Sequence, residues 1–276
     1  MSAPALFLRV ANVYGSDVLI FDAVVIRMKS NVANAIKLQT SPVAVLLMDR
    51  KPEHAIQFRA AEAAPGHGRI GCVISMLKAA ANGRTVVFDE DTCGCQGGAV
   101  GLGFRDHQFG YIEYFLSSGK EREIEGEYRK MTPELAREYL QSLPEVDLRA
   151  RYVVMTPLEQ VADEAASDIA LVIFLANPDQ LSALATLANF DRASNDNVIT
   201  LFGSGCSSVV RQVLAEARSK EPKAVIGLTD ISARQYLDKD VLSFSIPFSR
   251  FREMEANVDV SFLTKGEDWA RIAQRL

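Results

Sequence analysis

The run Asp168-Ile169-Ala170-Leu171-Val172-Ile173-Phe174-Leu175 constrains the fold more than any other stretch of this chain. It has strand length, carries no charge after Asp168, and does not alternate apolar with polar residues. Such a run reads as a strand covered on both faces, in a sheet with a layer packed on each side. Asn177-Pro178-Asp179 then caps a helix that continues through Phe190. Thr132-Pro133-Glu134 opens another, with an N-cap, a proline at the first helical position and an early acid, and that helix runs to about Ser142.

Strand-like and helix-like segments alternate through the rest of the chain. Val32–Leu38 has a short helical pattern, and Val43–Met48 has the length and apolarity of a buried strand. A helix opens at Gly71-Cys72 and stops at Asn82-Gly83, ahead of the strand Thr85–Phe88. Phe109–Phe115 is extended or helical. Arg151–Met155, Val198–Phe202 and Ala224–Leu228 read as strands, and Leu242–Phe248 and Val258–Leu263 are β-compatible. The last helix places Trp269, Ile272 and Leu276 on one face. The expectation is an α/β fold with a mixed or mainly parallel sheet covered by helices. Residues 30–276 form the α/β domain, with 30–150 and 151–276 as candidate halves. Residues 1–29 are an N-terminal extension or hairpin, turning at Tyr14-Gly15-Ser16-Asp17, and Met28 is a second candidate start.

Two segments share one plan. Gly71-Cys72 and Gly205-Cys206 are each followed by a helix, a turn and a strand, Thr85–Asp89 in the first case and Ala224–Leu228 in the second. An internal pseudo-repeat would relate the two cysteine-headed helices by a pseudo-twofold axis and bring distant cysteines together.

Bulk properties narrow the classes of function. A formal charge of −5, with no Lys/Arg block, argues against a nucleic-acid partner. Arg9, Asp17 and Asp22 interrupt the apolar N-terminal stretch, leaving no run of about 18 apolar residues to span a membrane. Four scattered cysteines in 276 residues do not resemble a disulfide scaffold, so a reducing cytoplasm is expected. Homo-oligomerisation stays open, as does the identity of a small-molecule or redox partner.

The cysteines carry the chemistry. Cys93 and Cys95 lie in the glycine-rich run Cys93-Gly94-Cys95-Gln96-Gly97-Gly98, whose backbone amides are unencumbered by side chains. Cys72 and Cys206 each follow a glycine at a helix start, where unpaired amides and the helix dipole favour a thiolate. The bland reading is that Cys72 and Cys206 are small core residues and the CxC pair shapes a turn. The glycines at 97, 98, 101 and 103 lack a strand–GxGxxG–helix frame, and no Walker-type lysine follows them. Among the histidines, His67 lies nearest a cysteine in sequence, five residues before Cys72.

Four segments resemble an uncharacterised family of archaeal and anaerobic bacterial proteins, the ArCR-type domain of unknown function. They are Ser41–Val45, Cys93–Gly103, Thr156–Glu159 and Asn177–Gln180, and with Gly205-Cys206 they cover about residues 35–250. The family brings no settled activity. This chain departs from the pattern at Leu228–Arg234, where the family turn suggests a cysteine or glycine.

The expected function is a cofactor-binding redox protein in which Cys72, Cys93, Cys95 and Cys206 ligate an iron–sulfur cluster, with Gly97 and Gly98 lending amides. Zinc is the lesser metal, because structural zinc sites present two short-spaced ligand pairs and only one pair is present here. The alternatives are a cysteine-dependent enzyme or small-anion binder without metal, with Cys206 or Cys93 as nucleophile, and a non-catalytic binding module.

Overall fold

The computed structural model of the chain describes residues 9–13, 16–20, 28–57, 72–93, 95–146, 148 and 150–276. Arg9–Val13 (β1) and Ser16–Ile20 (β2) pair antiparallel in a two-stranded ribbon. The first part of the main body runs through α1 (Asn31–Ala35), β3 (Val43–Met48), β4 (Ile56–Gln57), α2 (Val73–Ala81) and β5 (Val86–Phe88). Three helices follow, α3 (Gln96–Leu102), α4 (Ile112–Phe115) and α5 (Pro133–Gln141), and then β6 (Tyr152–Pro157). The second part comprises β7 (Ile169–Ala176), α6 (Pro178–Ala188), β8 (Val198–Ile199), a π-helical turn at Ser207–Arg211 that continues into α7 (Gln212–Glu216), and β9 (Ala224–Gly227). It ends with α8 (Ile231–Arg234), β10 (Leu242–Pro247), α9 (Phe248–Asn257), α10 (Phe262–Lys265) and α11 (Glu267–Ala273).

The capping residues named above act as such. The Thr132 side chain accepts from Leu135 N. Asn177 and Gln180 form a reciprocal capping box, each side chain satisfying a backbone N–H of the other.

Eight strands form one sheet in the order β4-β5-β6-β3-β7-β10-β9-β8. The sheet is mixed. Only the outer pairs β4–β5 and β8–β9 are parallel, and the five inner pairs are antiparallel. The Ile169–Leu175 run lies in β7, buried near the centre as its composition requires. Alternation along each strand divides the core in two. Val43, Val45, Leu171 and Ile173 join α2 and the Cys206 helix on one face. Ala44, Leu46, Val172 and Phe174 join α1, α6 and α9 on the other.

The register reveals the internal repeat. Ala44 faces Val172 at the centre, flanked by the pairs Val43–Ile173 and Val45–Leu171. Equating Val43 with Leu171 and Val45 with Ile173 carries this pairing onto itself, with Ala44–Val172 on the axis. The outer pairs obey the same rule: Val43 faces Pro157 as Leu171 faces Pro247. Val86 faces Met155 as Val225 faces Ser245, and Phe88 faces Val153 as Gly227 faces Ser243. A pseudo-twofold axis thus passes through the sheet between β3 and β7. It relates α2 to the Cys206 helix on the same face.

Two local readings change. Val258–Leu263 is not a strand. Val258–Val260 makes a 3-10 turn, after which the Ser261 hydroxyl accepts from Leu263 N and opens α10. That local hydroxyl cap replaces strand pairing, while Val258 and Leu263 still bury against the second face. The strand expected over Val198–Phe202 shortens to Val198–Ile199, leaving Leu201 and Phe202 exposed.

Candidate functional site

The glycine-rich segment folds into α3, a helix of small residues wedged against both cysteine-headed helices. A Cβ on Gly101 would lie 2.5 Å from Cys206 Cβ and 2.8 Å from both Cys206 C and Ser207 N. A Cβ on Gly98 would lie 2.9 Å from Val73 Cγ2 and 3.3 Å from Cys93 Sγ. One turn of α3 therefore presents Gly98 to the start of α2 and Gly101 to the start of the Cys206 helix. The two helix starts also meet directly, since a Cβ on Gly205 would lie 3.1 Å from Ile74 Cγ1. Beside Gly101 the helix after Cys206 widens into its π-helical turn.

This packing brings Cys72, Cys93, Cys95 and Cys206 together. Cys72 is the N-cap of α2, half-buried beside the amides of Ile74 and Ser75, and its sulfur makes no capping hydrogen bond. Cys95 is the N-cap of α3 and accepts from Gly98 N at 3.4 Å. Cys93 is buried, and burial with the neighbouring Cys95 pushes its thiol up to about 12. Cys206 is buried, and the other three cysteines all act to raise its thiol further. Gly97 stands open, with nothing within 4 Å of where its Cβ would be. His67, Gly71 and Gly94 lie outside the described residues.

The expectation of an acidic thiol at Cys206 is reversed. Its backbone is already helical (φ −63°, ψ −41°), one position inside the helix rather than capping it. Desolvation is the largest influence on its thiol, and the neighbouring thiols act in the same direction. Burial likewise raises Cys72 despite its two amides. Burial thus favours the neutral thiol at Cys72, Cys93 and Cys206. Among the described residues, no three His, Cys, Asp or Glu side chains stand as a ready ligand set for a single metal ion.

Sequence reasoning missed a second group of side chains beside the cysteines. Leu228 takes φ 62°, an uncommon conformation for a branched residue, as the chain leaves β9. The following turn delivers Asp230 to the start of the Cys206 helix, where its Oδ2 accepts from Gly205 N at 3.1 Å. The other carboxylate oxygen accepts from Arg129 at 3.2 Å, an ion pair whose side chains are 13% and 6% exposed. The Leu228–Arg234 segment thus supplies a buried carboxylate. Arg211, also buried, donates to Val100 O at 2.9 Å and Pro144 O at 2.7 Å, tying α3 to the Cys206 helix.

A cavity of about 60 Å³ lies beside the start of α3. Gln96 and Gly97, next to Cys95, form part of its wall, and so do Ser204 and Ser207, which flank Cys206. Arg129, Asp230, His107 and Tyr139 complete its polar lining.

A family model described as Uncharacterised ArCR matches residues 31–257, and the chain belongs to that family. No curated protein and no solved structure matches the chain. No helix among the described residues is long and apolar enough to cross a membrane.

Proposed function

We propose that this member of the ArCR family binds an iron–sulfur cluster through Cys72, Cys93, Cys95 and Cys206 and serves a redox role in a reducing compartment. The observation that supports the reading is that cysteines from three separate chain segments lie near enough for Cys72, Cys93 and Cys95 all to act on the Cys206 thiol. Core packing alone gives no reason to gather four sulfurs that repel one another once ionised. A multinuclear cluster spans several atoms, so its ligands stand further apart than those of one ion. The lack of a ready single-ion ligand set therefore weighs against mononuclear zinc more than against a cluster. Binding would convert the raised thiols to thiolates and release protons, which makes loading favourable at higher pH. The amide of Gly98, already directed at Cys95 Sγ, would continue to donate to a ligating sulfur and tune the potential.

The test is anaerobic purification and reconstitution with iron and sulfide, followed by metal and sulfide analysis and electron paramagnetic resonance of the reduced protein. Brown protein with matched iron and sulfide, lost in Cys206→Ser and Cys95→Ser, is the expected result. Folded protein that takes up neither iron nor sulfide, or that takes up zinc in equimolar amount instead, would overturn the proposal.

A further inference from the structure

One face of the molecule carries more apolar surface than a lone chain has reason to expose. Tyr128, Met131, Leu135, Leu201, Phe202 and Ile231 are each between 43% and 80% exposed. They come from three chain segments that contacts tie together. Phe202 packs on Tyr139 of α5 at 5.1 Å between ring centroids, and Lys130 Nζ lies over both rings, 4.7 Å from Tyr139 and 4.8 Å from Phe202. The Arg129–Asp230 ion pair joins the same segment to the turn that carries Ile231. Leu135 lies one helical turn before Tyr139 on the same side of α5. Together the six side chains expose roughly 600 Å², the upper end of what a monomeric surface carries in one patch.

We infer that this face is a twofold interface with a second copy of the chain, built on antiparallel pairing of α5 with its counterpart. Two such faces withdraw roughly 1,200 Å² of apolar surface from water, which reaches the size of a specific interface before any polar rim is counted. Tyrosine, phenylalanine and methionine are the residue types that favour interface centres. Charge selects the partner. Lys130 lies just ahead of α5, and Glu138 lies towards its far end, three positions after Leu135. Among the described residues, neither Lys130 nor Glu138 has an ion-pair partner. A twofold axis near Leu135 runs α5 antiparallel to its copy, so Lys130 of each chain faces Glu138 of the other. A face with an apolar centre, a cation at one end and an acid at the other complements itself, as a twofold contact requires. Phe202 and Tyr139 also wall the cavity that Gln96 and Gly97 line, so the interface borders the cysteine site. The inference does not rest on a bound cluster, and its test uses the full-length chain without metal.

The experiment is sedimentation of that protein between about 1 and 100 μM, with circular dichroism to check that each variant is folded. A dimer at the upper end of the range is expected. Leu135→Asp, an exposed position, should leave a folded monomer. Lys130→Glu and Glu138→Lys should each weaken association by about tenfold or more, because the axis sets each new like-charge pair in place twice. Combining Lys130→Glu with Glu138→Lys restores the opposite charges and should recover most of that loss, which decides the matter should Leu135→Asp fail to fold. A wild-type chain that stays monomeric at 100 μM would overturn the inference and leave the face to a different partner. So would a dimer that Leu135→Asp leaves intact, or a charge-reversed pair that associates no better than its single variants.

Discussion

Gly101→Ala tests the packing that assembles the cysteine site. The added methyl would sit 2.5 Å from Cys206 Cβ and 2.8 Å from the backbone at Cys206 C and Ser207 N. Backbone cannot rotate aside as a side chain can, so α3 must retreat by about an ångström to restore van der Waals distance. Overpacking of this kind costs about 1–3 kcal/mol, and each contact that opens by that much loses a quarter to a half of its dispersion energy. Alanine's better helix propensity returns about 1 kcal/mol. The net expectation is destabilisation by about 0–2 kcal/mol. Gly97→Ala is the internal control, since nothing lies within 4 Å of its Cβ and only the propensity gain applies, up to about 1 kcal/mol of stabilisation. Urea unfolding of both variants, followed by circular dichroism on metal-free protein, measures the two changes. Opposite signs support a tight crossing of α3 over Cys206. A Gly101→Ala variant as stable as Gly97→Ala would refute it, because the same substitution in the same helix would then meet the same surroundings.

Two further outcomes follow from buried charge. Asp230→Asn should destabilise the protein by about 1–3 kcal/mol in urea unfolding, because it removes the more buried of the two carboxylates paired with Arg129 and leaves only the half-exposed Glu127; a loss below about 0.5 kcal/mol would show that the pair does not hold the turn after β9. Asp191 is held at about 2 by hydrogen bonds from Arg250, below its unfolded value near 3.9, so its contribution of about 2 kcal/mol is complete above pH 4 and fades as pH falls towards 2; the stability gap between wild type and Asp191→Asn should therefore narrow between pH 5 and 2.5, and a constant gap would contradict that assignment.

The legible parts of the fold were those whose physics is local. Asn177 and Thr132 cap helices because their side chains reach an amide three residues away, and Ile169–Leu175 is a strand because its composition leaves no polar face. The repeat was visible as two Gly-Cys helix starts, although only the strand register could show that one axis relates the halves. Cys206 marks where local reasoning stops. Helix-start amides favour a thiolate, but the residue sits inside the helix and under α3, where desolvation dominates. Arg129 and Asp230 pair across 101 residues of sequence, and Arg211 reaches Val100 O across 111. No periodicity or cap encodes such meetings.

The pseudo-twofold axis explains why the site stands where it does. Symmetry places the starts of α2 and the Cys206 helix against each other, so a Gly-Cys pair at each brings two thiols together. Two thiols are too few to hold the proposed cluster, and an exact twofold could add further ligands only in matched pairs. The asymmetry lies in what joins the last two strands of each half. Between β5 and β6 the chain inserts the CxC loop, α3, α4 and α5, whereas between β9 and β10 it places the short turn carrying Asp230 and α8. The longer connection contributes Cys93 and Cys95, and the shorter one contributes the carboxylate that anchors Gly205. The sheet beneath has diverged in the same sense. Val153 and Met155 of β6 pack as apolar core, while their counterparts in β10 are Ser243 and Ser245, buried with no partner for either hydroxyl. Unpartnered hydroxyls cost stability on an otherwise apolar face. Their presence under the Cys206 helix alone, where Ser208 also bonds to Gly205 O and Leu228 N, places the polar demands of the site on the second half. The first half supplies the sulfurs that symmetry cannot.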